Sequence, residues 1–189
     1  MNAGCVVMGT AVAAIALLLC AGGPPAGSNG DIEVVHVNVD VTSSGDAALA
    51  ALAAVRGKQV IADKTMVTTE KRAGGYVVQL FELSKLPASN PVDPAQYGRV
   101  TARIRVAGDG LMLETLRPRS GVSAVREDDF LAALTFLAAT GRAPDGAFFM
   151  HATESEEGTY VNITRVPLTP GAYTDVVVSG KRIIVWPGA

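Results

Sequence analysis

The chain has 189 residues, with 16 Lys and Arg, 18 Asp and Glu, and 49% hydrophobic residues. That apolar share excludes disorder for most of its length, and a net charge of −2 gives no overall pull toward nucleic acid or an anionic membrane. Its two Cys are too few for a disulfide scaffold or a four-thiolate zinc site.

The charge is unevenly placed. No charged residue precedes Asp31, and no Lys or Arg precedes Arg56. The uncharged run Cys5 to Cys20, followed by small residues and the pair Pro24-Pro25, reads as a signal peptide or a membrane anchor over residues 1–28. Ala26 and Ser28 suit cleavage before Asn29, which would remove both cysteines. A lipidated Cys20 is a further reading, although Leu19 is larger than a lipobox prefers.

Asp31 to Val41 alternates, with Val35, Val37, Val39 and Val41 on one side and His36, Asn38 and Asp40 on the other, which predicts a strand. Ala47 to Val55 predicts a helix ended by Gly57. Strands follow from Gln59 to Glu70 and from Tyr76 to Leu83, then a Pro-rich loop from Pro87 to Pro94. Arg99 to Val106 alternates Val100, Ala102, Ile104 and Val106 inward with Thr101, Arg103 and Arg105 outward. Gly108-Asp109-Gly110 is a hairpin signal leading into Leu111 to Leu116.

The order then repeats. Glu127-Asp128-Asp129 supplies acids for the first turn of a helix running to Ala139, and Gly141 stops it. Strands are predicted over Ala147 to Thr153, Thr159 to Val166, Tyr173 to Val178 and Arg182 to Trp186. The helices align as DAALAALAAVRGK against DDFLAALTFLAATGR, which suggests an internal repeat. The fold class expected is α+β: two tandem helix-on-antiparallel-sheet units, residues 31–119 and 126–189.

A helix laid on a short antiparallel sheet resembles the cystatin/monellin fold and the smaller PepSY-type units. Cystatins carry Gln-x-Val-x-Gly after their helix; this chain has Gln59-Val60-Ile61-Ala62-Asp63, with Gln59 matching, Ile61 where Val is usual and Asp63 in place of Gly. The similarity spans about residues 31–106. It implies a protease-inhibitor-like module whose partner-binding residues are Gln59, Val60, Ile61, Ala62 and Asp63. Asp63 adds a charge that docking would have to desolvate.

Other residues carry weaker chemistry. His36, Asn38 and Asp40 share a strand face and read as a solvated face rather than a metal site. His151, in the apolar run AFFMHAT, has no nucleophile motif beside it and reads as a satisfied sheet histidine. Six Arg fall between positions 99 and 126, and Arg103, Arg105 and Arg117 form a candidate patch for an anionic partner. Glu154, Glu156 and Glu157 form an acidic turn able to pair with it, within the molecule or between copies. Asn162-Ile163-Thr164 is a glycosylation sequon, and Trp186 is a lone Trp near the end.

The function expected is therefore a secreted or extracytoplasmic binding protein, not an enzyme, acting on a protein partner, with a protease as first candidate. No cofactor, metal or nucleic acid is expected, and a membrane only through an uncleaved N-terminal segment. The alternatives are an envelope-tethered structural or assembly factor with PepSY-like units, and an enzyme in which His36 and His151 would converge.

Overall fold

The computed structural model describes residues 33–35, 41–107, 110–121, 127–171, 173–179 and 182–187. Their strands are β1 (Glu33–Val35), β2 (Lys64–Arg72), β3 (Gly75–Leu83), β4 (Gly98–Ala107), β5 (Gly110–Leu116), β6 (Ala147–Ser155), β7 (Gly158–Val166), β8 (Tyr173–Ser179) and β9 (Arg182–Pro187). The helices are α1 (Ser44–Ala54), α2 (Pro94–Tyr97) and α3 (Glu127–Ala139). All nine strands join one antiparallel sheet in the order β1-β5-β4-β3-β2-β6-β7-β8-β9.

The β4–β5 hairpin predicted at Gly108-Asp109-Gly110 forms, and the sheet is completed where β2 pairs with β6 over only four residues, Lys64↔His151 to Val67↔Phe148. Outward from that seam four strands follow in chain order on each side, β2 to β5 and β6 to β9, and β1 is added beyond β5. Two tandem helix-on-sheet units, expected from the sequence, are not what forms. One continuous sheet and one apolar core, to which α1, α3 and strands from both halves contribute, replace them.

The reason lies in α1. Gly45, Ala47, Ala48, Ala50, Ala51, Leu52 and Ala54 are all buried, so this helix is apolar around most of its circumference. A helix of that kind needs cover on more than one side, and its small side chains admit close neighbours. The sheet covers one flank and α3 another. The two helices run antiparallel: Arg56 pairs with Asp128 at 2.7 Å and Gly57 N–H donates to Glu127, while at the other end Ser44 Oγ donates to Asp145 at 2.8 Å. Local signals set the helix ends. Ser43 and Asp46 form a capping box on α1. Gly141, at φ +69°, ends α3 while Arg142 N–H donates to Leu137 O at 2.7 Å, a Schellman arrangement.

A second, smaller cluster lies on the sheet face away from the helices. Met66, Phe81, Leu83 and Phe149 pack there under the 84–97 loop, with Val92, Tyr97, Val100 and Leu168. Asn90 ties the loop across the seam, donating to Leu168 O at 2.6 Å and accepting from Leu168 N–H at 2.8 Å. A register shift at Leu80/Phe81 turns β4 over locally. Val100 therefore joins this second cluster instead of the inward row, and Thr101, expected outward, is fully buried and donates to Leu80 O.

Candidate functional site

Beyond the 84–97 loop the helix-free face is open, and strand register assembles a polar row on it. Lys64 stands opposite His151, His151 opposite Asn162, and Asn162 opposite Asp175, one residue each from β2, β6, β7 and β8. Alternation puts them on the same face as Met66 and Phe149. Asn162 Nδ2 donates to Asp175 Oδ1 at 2.7 Å, and Thr164 Oγ1 donates to Asn162 Oδ1 at 2.8 Å, so both ends of this amide are engaged. The sequon residue is thus a half-buried, mid-strand member of a hydrogen-bonded chain.

His151 differs from the satisfied histidine read from the sequence. Its Nδ1 is buried and has no hydrogen-bond partner. Burial pushes the imidazole pKa down; the Asp175 carboxylate opposes this and the Lys64 ammonium adds to it, leaving the net shift downward. A neutral imidazole with a spare nitrogen is therefore held beside the fixed Asn162–Asp175 pair. Among the described residues no group of three His, Cys, Asp or Glu is placed to hold a metal ion.

The charged candidates occupy opposite ends of the sheet. Arg103 and Arg105 project from β4 and share one carboxylate, Glu114, at 2.9 and 2.6 Å. Arg117 does not join them: it lies beyond the end of β5, with its N–H bonded to Thr101 O at 2.7 Å. Arg72, paired with Glu70, takes its place in a shallow cleft with Gly75, Val77, Arg103 and Arg105. The acidic Glu154, Glu156 and Glu157 sit around the β6–β7 turn. Because β2 and β6 are antiparallel and overlap by four residues, that turn projects from the end opposite the Arg cleft. Glu157 accepts from Tyr160 Oη at 2.8 Å, which pushes the phenol pKa up.

The segment Gln59–Asp63 is no hairpin. It connects α1 to β2, and β2 itself begins at Lys64, later than the sequence suggests. Val60 and Ile61 are 1% and 0% exposed and belong to the main core, so they have no surface to offer a partner. Gln59, at φ +59°, is exposed, but its carbonyl accepts from Arg119 N–H at 2.7 Å, and Ile61 O accepts from the Arg119 guanidinium at 3.0 Å.

The 117–121 segment is held by Glu82, a residue the sequence does not single out. Glu82 accepts from Ser120 N–H and Oγ and from Arg99 Nε. Burial raises its pKa, but the Ser120 hydrogen bonds and the Arg99 guanidinium outweigh this and hold the carboxyl below its usual range. Ser120 and Glu82 are 38 positions apart, a distance over which local patterning carries no signal.

Residues 1–28, His36, Asn38 and Asp40 lie outside the described residues. So do the expectations placed on them: export or anchoring, the strand-face triad and convergence of His36 with His151. Among the described residues, the large hydrophobics left exposed are Leu116, Tyr173 and Ile184. No protein-family model matches the chain, and no curated protein or solved structure matches it either.

Proposed function

We propose that this is an extracytoplasmic, non-catalytic binding protein that receives a protein partner on the helix-free face of its sheet. The observation that supports it is the polar row itself. Asn162, Thr164 and Asp175 are fixed by mutual hydrogen bonds, His151 keeps an unused nitrogen, and Tyr173, opposite Thr164 in register, leaves an aromatic ring 38% exposed alongside. Prearranged polar groups beside an exposed aromatic ring favour recognition, because little side-chain ordering remains to be done on docking. The other face is taken by α1 and α3. Export is supported by the uncharged first thirty residues. The buried Val60 and Ile61 give no support to an inhibitory hairpin, so the proposed surface is the sheet face and not the 59–63 segment.

The test is site-specific photo-crosslinking in the producing cells. A photoreactive residue at Thr153 or Tyr173, both exposed on this face, gives a discrete protein adduct that weakens when Asn162→Lys is added. The same residue at Asp128, exposed in the first turn of α3 on the helix-bearing side of the sheet, gives none. Equal adducts from all three positions, or none from the sheet face, overturn the reading.

A further inference from the structure

The sheet ends differently at its two edges. β1, as described, is three residues long and contains Glu33. β9 is six residues long, and between Arg182 and Pro187 it holds only Ile183, Ile184, Val185 and Trp186. An edge strand presents a row of unpaired main-chain N–H and C=O groups, and natural sheets blunt such edges by brevity, by charge or by an interrupting Pro. None of these devices falls within residues 183–186.

The apolar cover is unfinished there as well. Ile184 is 49% exposed on the helix-free side. Ile183 and Val185, on the helix side, pack against the main core yet remain half-buried, because α3 lies over β7 and β8.

We infer that a second copy of this chain pairs its β9 antiparallel to this β9, about a two-fold axis perpendicular to the sheet, joining the two sheets into one. Such an axis keeps both helix layers on one side, so residues facing each other must point to the same side. A register centred on Ile184 meets that condition. Ile184 faces Ile184 of the second copy, Ile183 faces Val185, and Arg182 stands opposite Trp186. Aliphatic groups meet aliphatic groups on both sides, and the strand's one charge meets no like charge. A second copy closes both β9 edges with one set of residues and stops at two. Pairing β9 with the next copy's β1 would leave open edges and place Glu33 in the seam. This inference stands apart from the proposed partner surface, since the pairing uses the edge and leaves the polar row free.

The experiment measures mass in solution and position-specific crosslinking on the purified full chain, with Cys5 and Cys20 replaced by Ser in the crosslinking variants. The wild-type chain sediments at twice the monomer mass. Ile184→Lys sediments as a monomer with an unchanged circular dichroism spectrum. Under mild oxidation Ile184→Cys forms a disulfide-linked dimer much faster than Lys85→Cys on the exposed loop, since paired Cβ atoms in this register stand within disulfide reach. Three results each overturn the inference: a wild-type chain that stays monomeric as its concentration rises, an Ile184→Lys variant that remains dimeric, or Ile184→Cys crosslinking no faster than the loop control.

Discussion

At residue scale, His151 and Glu82 titrate with the same sign in different windows. Both folded-state pKa values lie below the ordinary ones, 6.5 for the imidazole and 4.5 for the carboxyl. A depressed folded pKa means the unfolded chain binds more protons, so the stabilisation is complete above the ordinary value and is lost as pH falls through the folded one. For His151, whose facing groups are Lys64 on β2 and Asn162 and Asp175 on β7 and β8, the loss begins below about pH 6.5. Urea unfolding should therefore show the wild type losing stability between about pH 7 and about pH 5.5, and His151→Phe losing less over that interval. An equal loss in both proteins would show that another group is responsible. Glu82→Gln removes charge-assisted hydrogen bonds from Ser120 and Arg99 and should cost about 1–2 kcal/mol at neutral pH, with the gap closing below about pH 4.5. In the strand YVVQLFEL, Glu82 is simply a polar residue, like Gln79, in a mostly apolar run. Its partners come from 17 and 38 positions away, so its role is created by the fold.

At the scale of elements, local chemistry was widely legible. Gly108-Asp109-Gly110 placed the β4–β5 hairpin, alternation placed most of the faces of β4, and the other successive strands predicted from composition pair as the β2–β3, β6–β7 and β8–β9 hairpins. Gly75 shows why the first hairpin needs its glycine. It sits at φ +156°, and a Cβ there would run into the Val106 carbonyl on β4. Gly75→Ala should cost about 2–3 kcal/mol in chemical unfolding, against about 1 kcal/mol for Gly74→Ala, which has φ +84° but open space around it. Comparable losses at both positions would mean that backbone strain, and not the approach of β4, sets the requirement. What local patterning missed were the departures from regularity: the bulge that buries Thr101, and the later start of β2, which puts Val60 and Ile61 into the core. Both depend on which strand or segment lies alongside.

At the scale of the molecule, the shared core carries an energetic consequence. Leu52 on α1 and Phe130 on α3 belong to one fully buried cluster with Val67, Phe148 and Val176. Each such side chain contributes roughly 1.5–3 kcal/mol by burial, and removing either half of the chain would expose its neighbours in the other. The full protein should unfold in a single transition by circular dichroism and by tryptophan fluorescence alike. Fragments 31–121 and 127–189 should each lack dispersed amide resonances when expressed alone. Two independent transitions, or a folded fragment, would contradict the shared core. The candidate site was legible only in part for the same reason. His151 and Asn162 attract notice as residue types, but their alignment with Lys64 and Asp175 requires the β2–β6 seam and the β7–β8 register.

The sequence by itself determined the two longer helices, α1 and α3, and most of the strands, because capping residues, glycines and two-residue alternation act over a few positions. Tertiary structure alone decided that β2 pairs with β6, that α1 and α3 share one face, that Val60, Ile61 and Ala62 are buried and that the polar row exists. Those outcomes come from burying an almost wholly apolar helix and from joining alternating strands, a pairing that many partners satisfy locally and that only the common core makes unique.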